Sequence, residues 1–344
     1  MLPLARTAPR GDSGHPMRAF WLLYICILGV PALASPPADD AVAAAERQFA
    51  EALARDDGLD AAEVLAVLAK ARYQQGVIDA ISRPAEAKPW KDYRPLFVNE
   101  RRIADGAAFH REHAALLERV AAETGVPAEL IVTILGIETN YGRNTGRYRV
   151  LDALTTLAFH YPPRAEFFRN ELRELFLLRG PRFPYALEEL TGSYAGAMGW
   201  TQFMPSSIRK FARDGDGDGR IDLWNSLPDI AYSVANYFVA HGWEKGGPIA
   251  LPASVAANAR RIDPAGLTPV YPLQQLNEWG YTTREHLDPM TPATLLELDG
   301  SDGREVWITF ENFYAISRYN RSPLYSLAVC QLSQAIAAAA AATP

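Results

Sequence analysis

The chain has 344 residues, of which 49% are hydrophobic and 22% are charged, and its formal net charge is −6 at pH 7. This composition is typical of a globular protein and excludes a disordered or collagen-like chain. The acidic balance also gives no support to binding of a phosphate backbone, which requires a basic surface, so we predict no nucleic-acid partner.

The N-terminus has the pattern of a secretory signal. A basic residue precedes an apolar run at residues 20–30, and small residues follow it. We predict that residues 1–34 are a signal peptide with an upstream extension, that cleavage occurs near Ala34-Ser35, and that the mature protein is periplasmic. The apolar run is too short for a membrane span, and Cys26 lacks the small residues that lipid attachment requires before it. We therefore expect neither a lipid anchor nor a transmembrane span in the mature chain.

The chain after the predicted signal shows mostly helical periodicity, and we divide it into segments. Residues 35–98 are predicted as an N-terminal helical segment, 99–245 as a helical core, and 246–334 as a small mixed segment. Residues 335–344 form an alanine-rich tail.

In the N-terminal segment, the pattern predicts a helix over 40–54, and a capping box at Asp60–Glu63 opens a second helix. Prolines in and near 85–98 predict an extended connector. Predicted helices of the core cover residues 104–123, 127–139, 152–159, 162–178, 206–213 and 228–241, around an irregular loop at 180–204.

The mixed segment contains a strand signal. Two apolar runs, 295–298 and 306–310, flank a turn sequence rich in Asp and Gly, which predicts a β-hairpin. A closing helix begins near residue 323, and Cys330 within it is predicted to be a buried structural thiol. We therefore predict a mainly α (α+β) fold.

Glu138 is the first candidate catalytic residue. It ends an apolar stretch, Leu130–Leu135, whose spacing predicts a helix that Gly142 helps to end. A carboxyl group at this point is partly desolvated and lies at the negative end of the helix dipole, and both effects raise its pKa. A general acid for a glycosidic oxygen needs such a pKa. A solvated Glu at a helix end is the alternative, and it would be preferred if this motif stood alone.

A second signal is an acidic loop that follows the pattern of a calcium-binding loop. Its alternating carboxylates belong to Asp214, Asp216 and Asp218. Arg220 would contribute its backbone carbonyl, Asn225 stands where a bidentate Glu is usual, and Asp229 is the next acid. We predict a structural Ca²⁺ site in a loop over 214–229, with a solvated acidic turn as the alternative.

A third signal is the stretch 193–205, which combines small, aromatic and amide side chains. Small residues let the backbone approach a ligand closely, and rings beside an amide suit the recognition of sugars. A packed structural loop explains this composition equally well.

Together these motifs resemble the soluble lytic transglycosylases, and most closely the membrane-bound lytic murein transglycosylase B type, glycoside hydrolase family 103. The resemblance extends from about Tyr93 to Gln331. It rests on motifs in the family order, which are residues 138–142, 146–154, 193–205, the acidic loop with Leu223-Trp224, 234–237 and 318–320.

The resemblance implies a lysozyme-like helical core that cleaves the β-1,4 bond between N-acetylmuramic acid and N-acetylglucosamine in peptidoglycan glycan strands. Glu138 would act first as the acid and then as the base, and the product would carry a 1,6-anhydro ring. No organic cofactor is implied.

The resemblance also assigns binding residues. The implied substrate contacts are Tyr93, Ser193, Gln202, Phe203, Tyr237, Tyr319, Asn320 and Tyr325. The implied calcium ligands are Asp214, Asp216, Asp218 and Asp229. For each tyrosine, ordinary core packing is the alternative.

Two other functions compete with this one. A lysozyme-like hydrolase would need a second carboxylate about 5–10 Å from the first. Asp152 is the nearest candidate in the sequence, although its position at a helix start favours capping. A non-catalytic wall-binding protein would keep the aromatic groove but could dispense with Glu138, so the presence of this residue argues against it.

Overall fold

The structure is a computed structural model that describes residues 39–83, 88–264 and 266–342. The predicted signal peptide, its cleavage point at Ala34-Ser35 and Cys26 lie outside the described residues.

Helices dominate the described chain. In chain order they are α1 (Asp39–Asp57), α2 (Ala61–Leu68), α3 (Gln75–Ile81), α4 (Trp90–Phe97), α5 (Glu100–Glu112), α6 (Ala114–Thr124), α7 (Ala128–Thr139), α8 (Val150–His160), α9 (Ala165–Phe176), α10 (Pro205–Phe211), α11 (Leu227–Ala240), α12 (Leu273–Glu278), α13 (Glu311–Tyr319) and α14 (Pro323–Ala341). A 3₁₀ turn at Pro162–Arg164 leads into α9.

The strands are short except for one hairpin. They are β1 (Tyr148–Arg149), β2 (Thr191–Gly192), β3 (Ala250–Pro252), β4 (Ser254–Val255), β5 (Tyr271–Pro272), β6 (Tyr281–Thr282), β7 (Pro292–Gly300) and β8 (Gly303–Thr309). The largest sheet has the antiparallel order β3-β8-β7-β5, and Gly300 opposite Gly303 closes the β7–β8 turn. The predicted hairpin and the mainly α fold class are thereby confirmed.

The capping box before α2 forms the predicted helix start. The Asp60 side chain accepts hydrogen bonds from the backbone N–H groups of Ala62, at 2.7 Å, and Glu63. Such a cap satisfies donors that have no partner within the helix. The predicted start of the second helix at this capping box is therefore confirmed.

The predicted extended connector at 85–98 is wrong, because Trp90–Phe97 forms α4 with Pro95 inside it. Proline in a helix costs a backbone hydrogen bond. However, Trp90 and Tyr93 are each only 1% exposed, and α4 packs against both α14 and β7. Tertiary packing of these rings outweighs the local preference.

The predicted helix over 104–123 is two helices. The break falls at His113, whose backbone dihedrals (φ −113°, ψ 20°) lie outside the helical region. The bend separates α5, which packs on α14, from α6, which packs on α11.

One hydrophobic core joins the N-terminal helices to the rest of the helical body. It includes Leu53 of α1, Leu117 of α6, Ile134 of α7, Leu157 of α8 and Ile336 of α14, all at most 2% exposed. A separate apolar cluster lies between the sheet and α12. The segment boundaries given above stay predictions.

The closing helix α14 extends through the alanine-rich stretch to Ala341. Its length and apolar composition would allow it to cross a membrane, but half of that stretch is buried inside the protein. It packs mainly on α5 and α7, as a core helix does. This packing places its N-terminal end beside the C-terminal end of α7, where the candidate site lies.

Candidate active site

A tight reversal at the end of α7 directs Glu138 out of the core. After this helix, Asn140, Tyr141 and Gly142 all have positive φ angles, of 51°, 58° and 75°. The hydroxyl of Thr139 accepts a hydrogen bond from the N–H of Gly142 at 2.9 Å and so fixes the turn. A backbone in this region is unfavourable for residues other than glycine, and such strain is frequent at functional sites.

Glu138 lies in a groove of about 810 Å³, bounded by parts of α5, α7, α9, α10, α11, α13 and α14 and by the loop before α10. Its walls combine aromatic with charged side chains. Concave sites of this size commonly bind ligands.

The carboxyl group of Glu138 is half-buried and hydrogen-bonded. The Tyr325 hydroxyl, at the start of α14, donates to its Oε1 at 2.6 Å. Burial raises the pKa of Glu138 to about 7, and the hydrogen bond from Tyr325 opposes this rise. Because a carboxyl group with such a pKa is substantially protonated near neutral pH, it can donate a proton there.

Three rings form one wall of the groove. Tyr237 lies 4.8 Å from Tyr319 and 5.3 Å from Phe203, measured between ring centroids. Their positions are fixed, because Tyr237 donates to the carbonyl of Arg318 and Tyr319 to that of Thr201, each at 2.6 Å. The wall is therefore a preformed aromatic surface.

Gln202 presents an unused acceptor to this groove. Its backbone has φ 50°, and its Nε2 donates to the carbonyls of Thr145 (3.1 Å) and Gly199 (3.0 Å). Its Oε1 is buried and accepts no hydrogen bond from any described residue. Since buried polar atoms are normally paired, an acceptor left without a partner on a residue that lines the groove is a candidate to receive a ligand N–H or O–H.

Of the other predicted substrate contacts, one lines the groove and two do not. Asn320 lines the groove, and its side-chain oxygen accepts from the N–H of Ser322 at 3.1 Å. Ser193 and Tyr93 do not line it. The Ser193 hydroxyl accepts from two N–H groups of its own loop, and Tyr93 lies in the core close enough to Tyr325 to raise the pKa of its hydroxyl.

The sequence analysis missed a second carboxylate on the groove wall. Glu171 of α9 is 5% exposed, and its two oxygens accept from the N–H and the hydroxyl of Ser206 at 2.9 and 2.7 Å. Burial raises its pKa. The sequence pattern of this amphipathic helix does not distinguish Glu171 from an acidic residue on the protein surface.

The cations of the groove also gave no signal in the sequence. The residues concerned are Arg102, Arg164, Lys210, Arg318 and Arg321. They come from four separate places in the sequence, and a local pattern cannot show that they share one groove.

Asp152 belongs to a different part of the molecule. It lies in the first turn of α8, after Arg149 at the cap, and does not line the groove. Its carboxylate accepts from the N–H of Arg72 at 3.1 Å and from the Gln74 side chain at 3.2 Å, and it pairs with Arg149 at 3.3 Å. The prediction that Asp152 caps its own helix is wrong, because it ties α8 to the segment between α2 and α3.

The acidic loop between α10 and α11 brings carboxylates together. Side-chain oxygens of Asp214, Asp216 and Asp229 lie within 4.8 Å of one another. Asp229 is 1% exposed, and both of its oxygens accept backbone N–H groups. Asn225 instead contacts Asp222 at 3.1 Å, so it does not occupy the place of a twelfth-position ligand.

These three carboxylates, of which Asp229 is buried, repel each other unless a cation lies between them. Asp216 accordingly adds to the burial that raises the pKa of Asp229. Asp218 lies outside the group of three, and its side chain accepts from the N–H of Arg220 at 2.7 Å. The oxygen-rich donor set fits Ca²⁺.

The comparisons with known proteins agree with this geometry. Residues 41–334 match the transglycosylase SLT domain, and the chain therefore belongs to that family. It is similar to membrane-bound lytic murein transglycosylase B of Escherichia coli strain K12, with 40% identity over 303 residues that cover 85% of this chain and 82% of the relative. The predicted family is confirmed.

Solved structures extend the likeness to three dimensions. Soluble lytic transglycosylase SltB1 from Pseudomonas aeruginosa has 45% identity and a TM-score of 0.80, covering 87% of this chain and 100% of that one. Escherichia coli Slt35 in complex with calcium has 39% identity and a TM-score of 0.78, covering 86% and 94%. SltB3 from Pseudomonas aeruginosa, in complex with NAG-anhNAM-pentapeptide, has 32% identity and a TM-score of 0.75, covering 86% and 80%.

Proposed function

We propose that this protein is a peptidoglycan lytic transglycosylase in which Glu138 is the single acid and base. It cleaves the β-1,4 bond between N-acetylmuramic acid and N-acetylglucosamine without consuming water. The observation that carries the proposal is the Glu138 carboxyl group, held by Tyr325 at 2.6 Å in the groove with a pKa of about 7.

The reaction has two proton transfers through one carboxyl group. Protonated Glu138 gives its proton to the glycosidic oxygen as the bond to the anomeric carbon breaks. The acetamido group of the same sugar stabilises the positive anomeric carbon. The Glu138 carboxylate then takes the proton of the 6-hydroxyl, whose oxygen attacks that carbon and closes the 1,6-anhydro ring. A pKa near neutrality suits a group that must serve both steps.

The hydrolytic alternative needs a second free carboxylate across the groove. Asp152 lies elsewhere, and Glu171 has both oxygens engaged by Ser206. Neither is free to act as a nucleophile or to orient water, which favours the anhydro route.

We assign substrate contacts to the groove wall. Gln202 Oε1 would accept a hydrogen bond from an acetamido or hydroxyl group, and Phe203, Tyr237 and Tyr319 supply ring surface. Asn320 lies beside them. We assign Tyr93 and Ser193 supporting roles, because Tyr93 lies close to Tyr325 and Ser193 holds the loop that leads to Gln202.

We also propose that the 214–229 loop holds a structural Ca²⁺. Asp214, Asp216 and Asp229 would supply carboxylate oxygens, while Asp218 and the Arg220 carbonyl would complete the set after a small adjustment of the loop. The bound ion would screen the carboxylates from each other and hold the start of α11, which carries Tyr237 into the groove. The protein acts in the periplasm, where its substrate lies, after removal of the signal peptide.

Product analysis tests the reaction. Purified sacculi are incubated with residues 35–344, and the soluble products are weighed by mass spectrometry. We expect muropeptides lighter by one water than hydrolysis products, with 1,6-anhydromuramic ends. Reducing ends would show that water is the nucleophile. No products from a folded, sacculus-bound protein would show a binding protein instead.

Replacement of Glu138 tests its role. Glu138→Gln keeps the shape and an oxygen for the Tyr325 hydrogen bond but has no proton to donate, so turnover should fall at least about 10²–10⁴-fold. Binding to sacculi should remain within about twofold of the wild type. Glu171→Gln is the matched control, and near-normal turnover by Glu138→Gln would refute the assignment.

A further inference from the structure

Two arginines of the groove have no acidic partner. Arg164 precedes α9 and Arg321 lies between α13 and α14, and both line the groove. Among the described residues, no carboxylate oxygen lies within 4.0 Å of either guanidinium. Burial lowers the pKa of Arg164, and Arg321 is near enough for its charge to lower that pKa further. Two like charges brought together without a counter-charge are unfavourable in the free protein.

Arg164 is held in place while part of its donor capacity is unused. Its guanidinium lies 4.4 Å from the ring centroid of Phe167 and 5.2 Å from that of Phe168. Its Nη1 is buried and donates to no described residue. A buried donor without a partner carries a cost that a ligand acceptor would remove.

The other cations of the groove are already engaged. Arg102 donates to the carbonyl of Gly136 at 3.1 Å, and Lys210 is near enough to Glu171 to oppose the rise in its pKa. Arg318 lies over the ring of Tyr314 at 5.6 Å. The positive charge of the groove is therefore shared by five cations, and among them in the described chain Arg164 is the one whose buried Nη1 has no hydrogen-bond partner.

We propose that Arg164 and Arg321 bind a carboxylate carried by the muramic acid residue of the substrate, and that this pair makes the enzyme select acidic over neutral glycan. The inference rests on the proposed function. Muramic acid carries a lactyl group whose carboxyl is free in bare glycan and amide-linked to a peptide in substituted glycan, where the peptide supplies carboxylates of its own. Planar guanidinium groups match a carboxylate in geometry and charge.

The test compares charged and neutral substrates with the full mature chain. Soluble uncross-linked peptidoglycan strands are used untreated, after amidase removal of the peptides, and after carbodiimide conversion of all carboxylates to carboxamides. The variants are Arg164→Gln, Arg321→Gln and Arg164→Lys, and the matched control is Arg284→Gln, an exposed arginine outside the groove.

On untreated strands, each Gln variant should raise KM about tenfold with kcat nearly unchanged, since a charge-assisted hydrogen bond is lost in the substrate and transition-state complexes alike. Arg164→Lys should recover part of the loss, and Arg284→Gln should match the wild type. On amidated strands, the wild type should have the same raised KM as the Gln variants.

Equal KM values for wild type and both Gln variants on untreated strands would overturn the inference. So would an equal loss on amidated strands, because the arginines would then act without a carboxylate. If the difference persists after amidase treatment, the lactyl carboxylate is the ligand; if it disappears, a peptide carboxylate is. Failure of the wild type to form anhydro products on any strand would instead refute the proposed function.

Discussion

In the proposed mechanism Glu138 must be protonated to donate its proton, and this requirement fixes the sign of the pH dependence. Burial raises the pKa of the carboxyl group to about 7, so kcat should fall as the pH increases through that value. The Tyr325 hydroxyl stabilises the charged form by donating to it at 2.6 Å. Removing this donor should therefore raise the pKa of Glu138 further.

Tyr325→Phe tests this coupling. We expect the alkaline limb of the kcat profile to move upward by about one pH unit, which corresponds to one hydrogen bond to a charged group. The measurement is kcat against pH on saturating peptidoglycan strands.

Tyr237→Phe is the control for this shift, because the Tyr237 hydroxyl donates to the Arg318 carbonyl and not to Glu138. The alkaline limb of its kcat profile should have the same midpoint pH as that of the wild type. A limb that does not move in Tyr325→Phe, or that moves downward, would contradict the proposed link between the two residues.

At the residue scale, the sequence predicts what local chemistry determines. Glu138 was identifiable because an apolar helix ends beside it. Glu171 was not, since its burial depends on contacts with Ser206, which is 35 positions away in the chain. The pairing of Arg164 with Arg321 was hidden for the same reason, and Ser193 and Tyr93 look in sequence like groove residues although they lie behind the groove surface.

At the element scale, the β1–β2 pair depends on a glycine. Gly146 has φ 100°, and a Cβ at this position would lie 2.0 Å from the backbone carbon of Gly192 in β2. This close approach aligns the loop that carries Gln202, whose side chain donates to the carbonyl of Thr145. The glycine is therefore required by both the backbone angle and the contact.

Gly146→Ala should lower the free energy of unfolding by about 3 kcal/mol or more, because strain at positive φ adds to a backbone clash. Gly58→Ala, also at positive φ (71°) but with nothing within 4 Å of the added carbon, should cost only about 1–2 kcal/mol. Urea unfolding curves measure both. Equal costs for the two variants would show that β2 yields to the extra methyl group.

The acidic loop gives a second prediction at this scale. If Ca²⁺ binds there, a concentration of about 100 times Kd adds about 2.7 kcal/mol of stability, which should raise Tm by about 4 °C in a chain of this length. Asp214→Ala combined with Asp218→Ala should abolish this rise, and a chelator should then have no further effect.

The control for the acidic loop is Asp299→Ala combined with Asp302→Ala, which removes the same charge from the exposed hairpin turn. This variant should keep the full response to calcium. Identical melting of the wild type with and without calcium would refute the site.

Most elements were predictable because their periodicity agrees with their environment. The hairpin and the helices α1, α7, α11 and α14 follow from alternation, spacing and caps. Helix α4 is the exception, because its prolines favour an extended chain. The burial of Trp90 and Tyr93 against α14 and β7 contributes more free energy than this local preference costs. That gain depends on partners more than 190 positions away in the chain.

At the scale of the whole molecule, the charge of the groove has the opposite sign to the net charge of the chain. The chain has a net charge of −6, yet the groove is lined by five Lys and Arg side chains and two acids. Both acids have raised pKa values, which makes the groove still more positive. An acidic protein thus offers a basic surface where an acidic polymer would bind.

Salt should weaken this attraction. Between 0.1 and 1 M salt the screening length falls from about 10 to about 3 Å, so kcat/KM on untreated strands should fall severalfold. On strands whose carboxylates are converted to carboxamides, the same change should have little effect. A salt response that is equal for both substrates would show that groove charge does not guide binding.

The contact between Glu138 and Tyr325 joins residues 187 positions apart. Because Tyr325 lies in α14, the acid gains its hydroxyl partner only after this helix has been synthesised and has packed onto α7. Such distant contacts form late, since long loops must close before they are made. A nascent chain therefore carries the proposed catalytic carboxyl group without a finished site until α14 is in place.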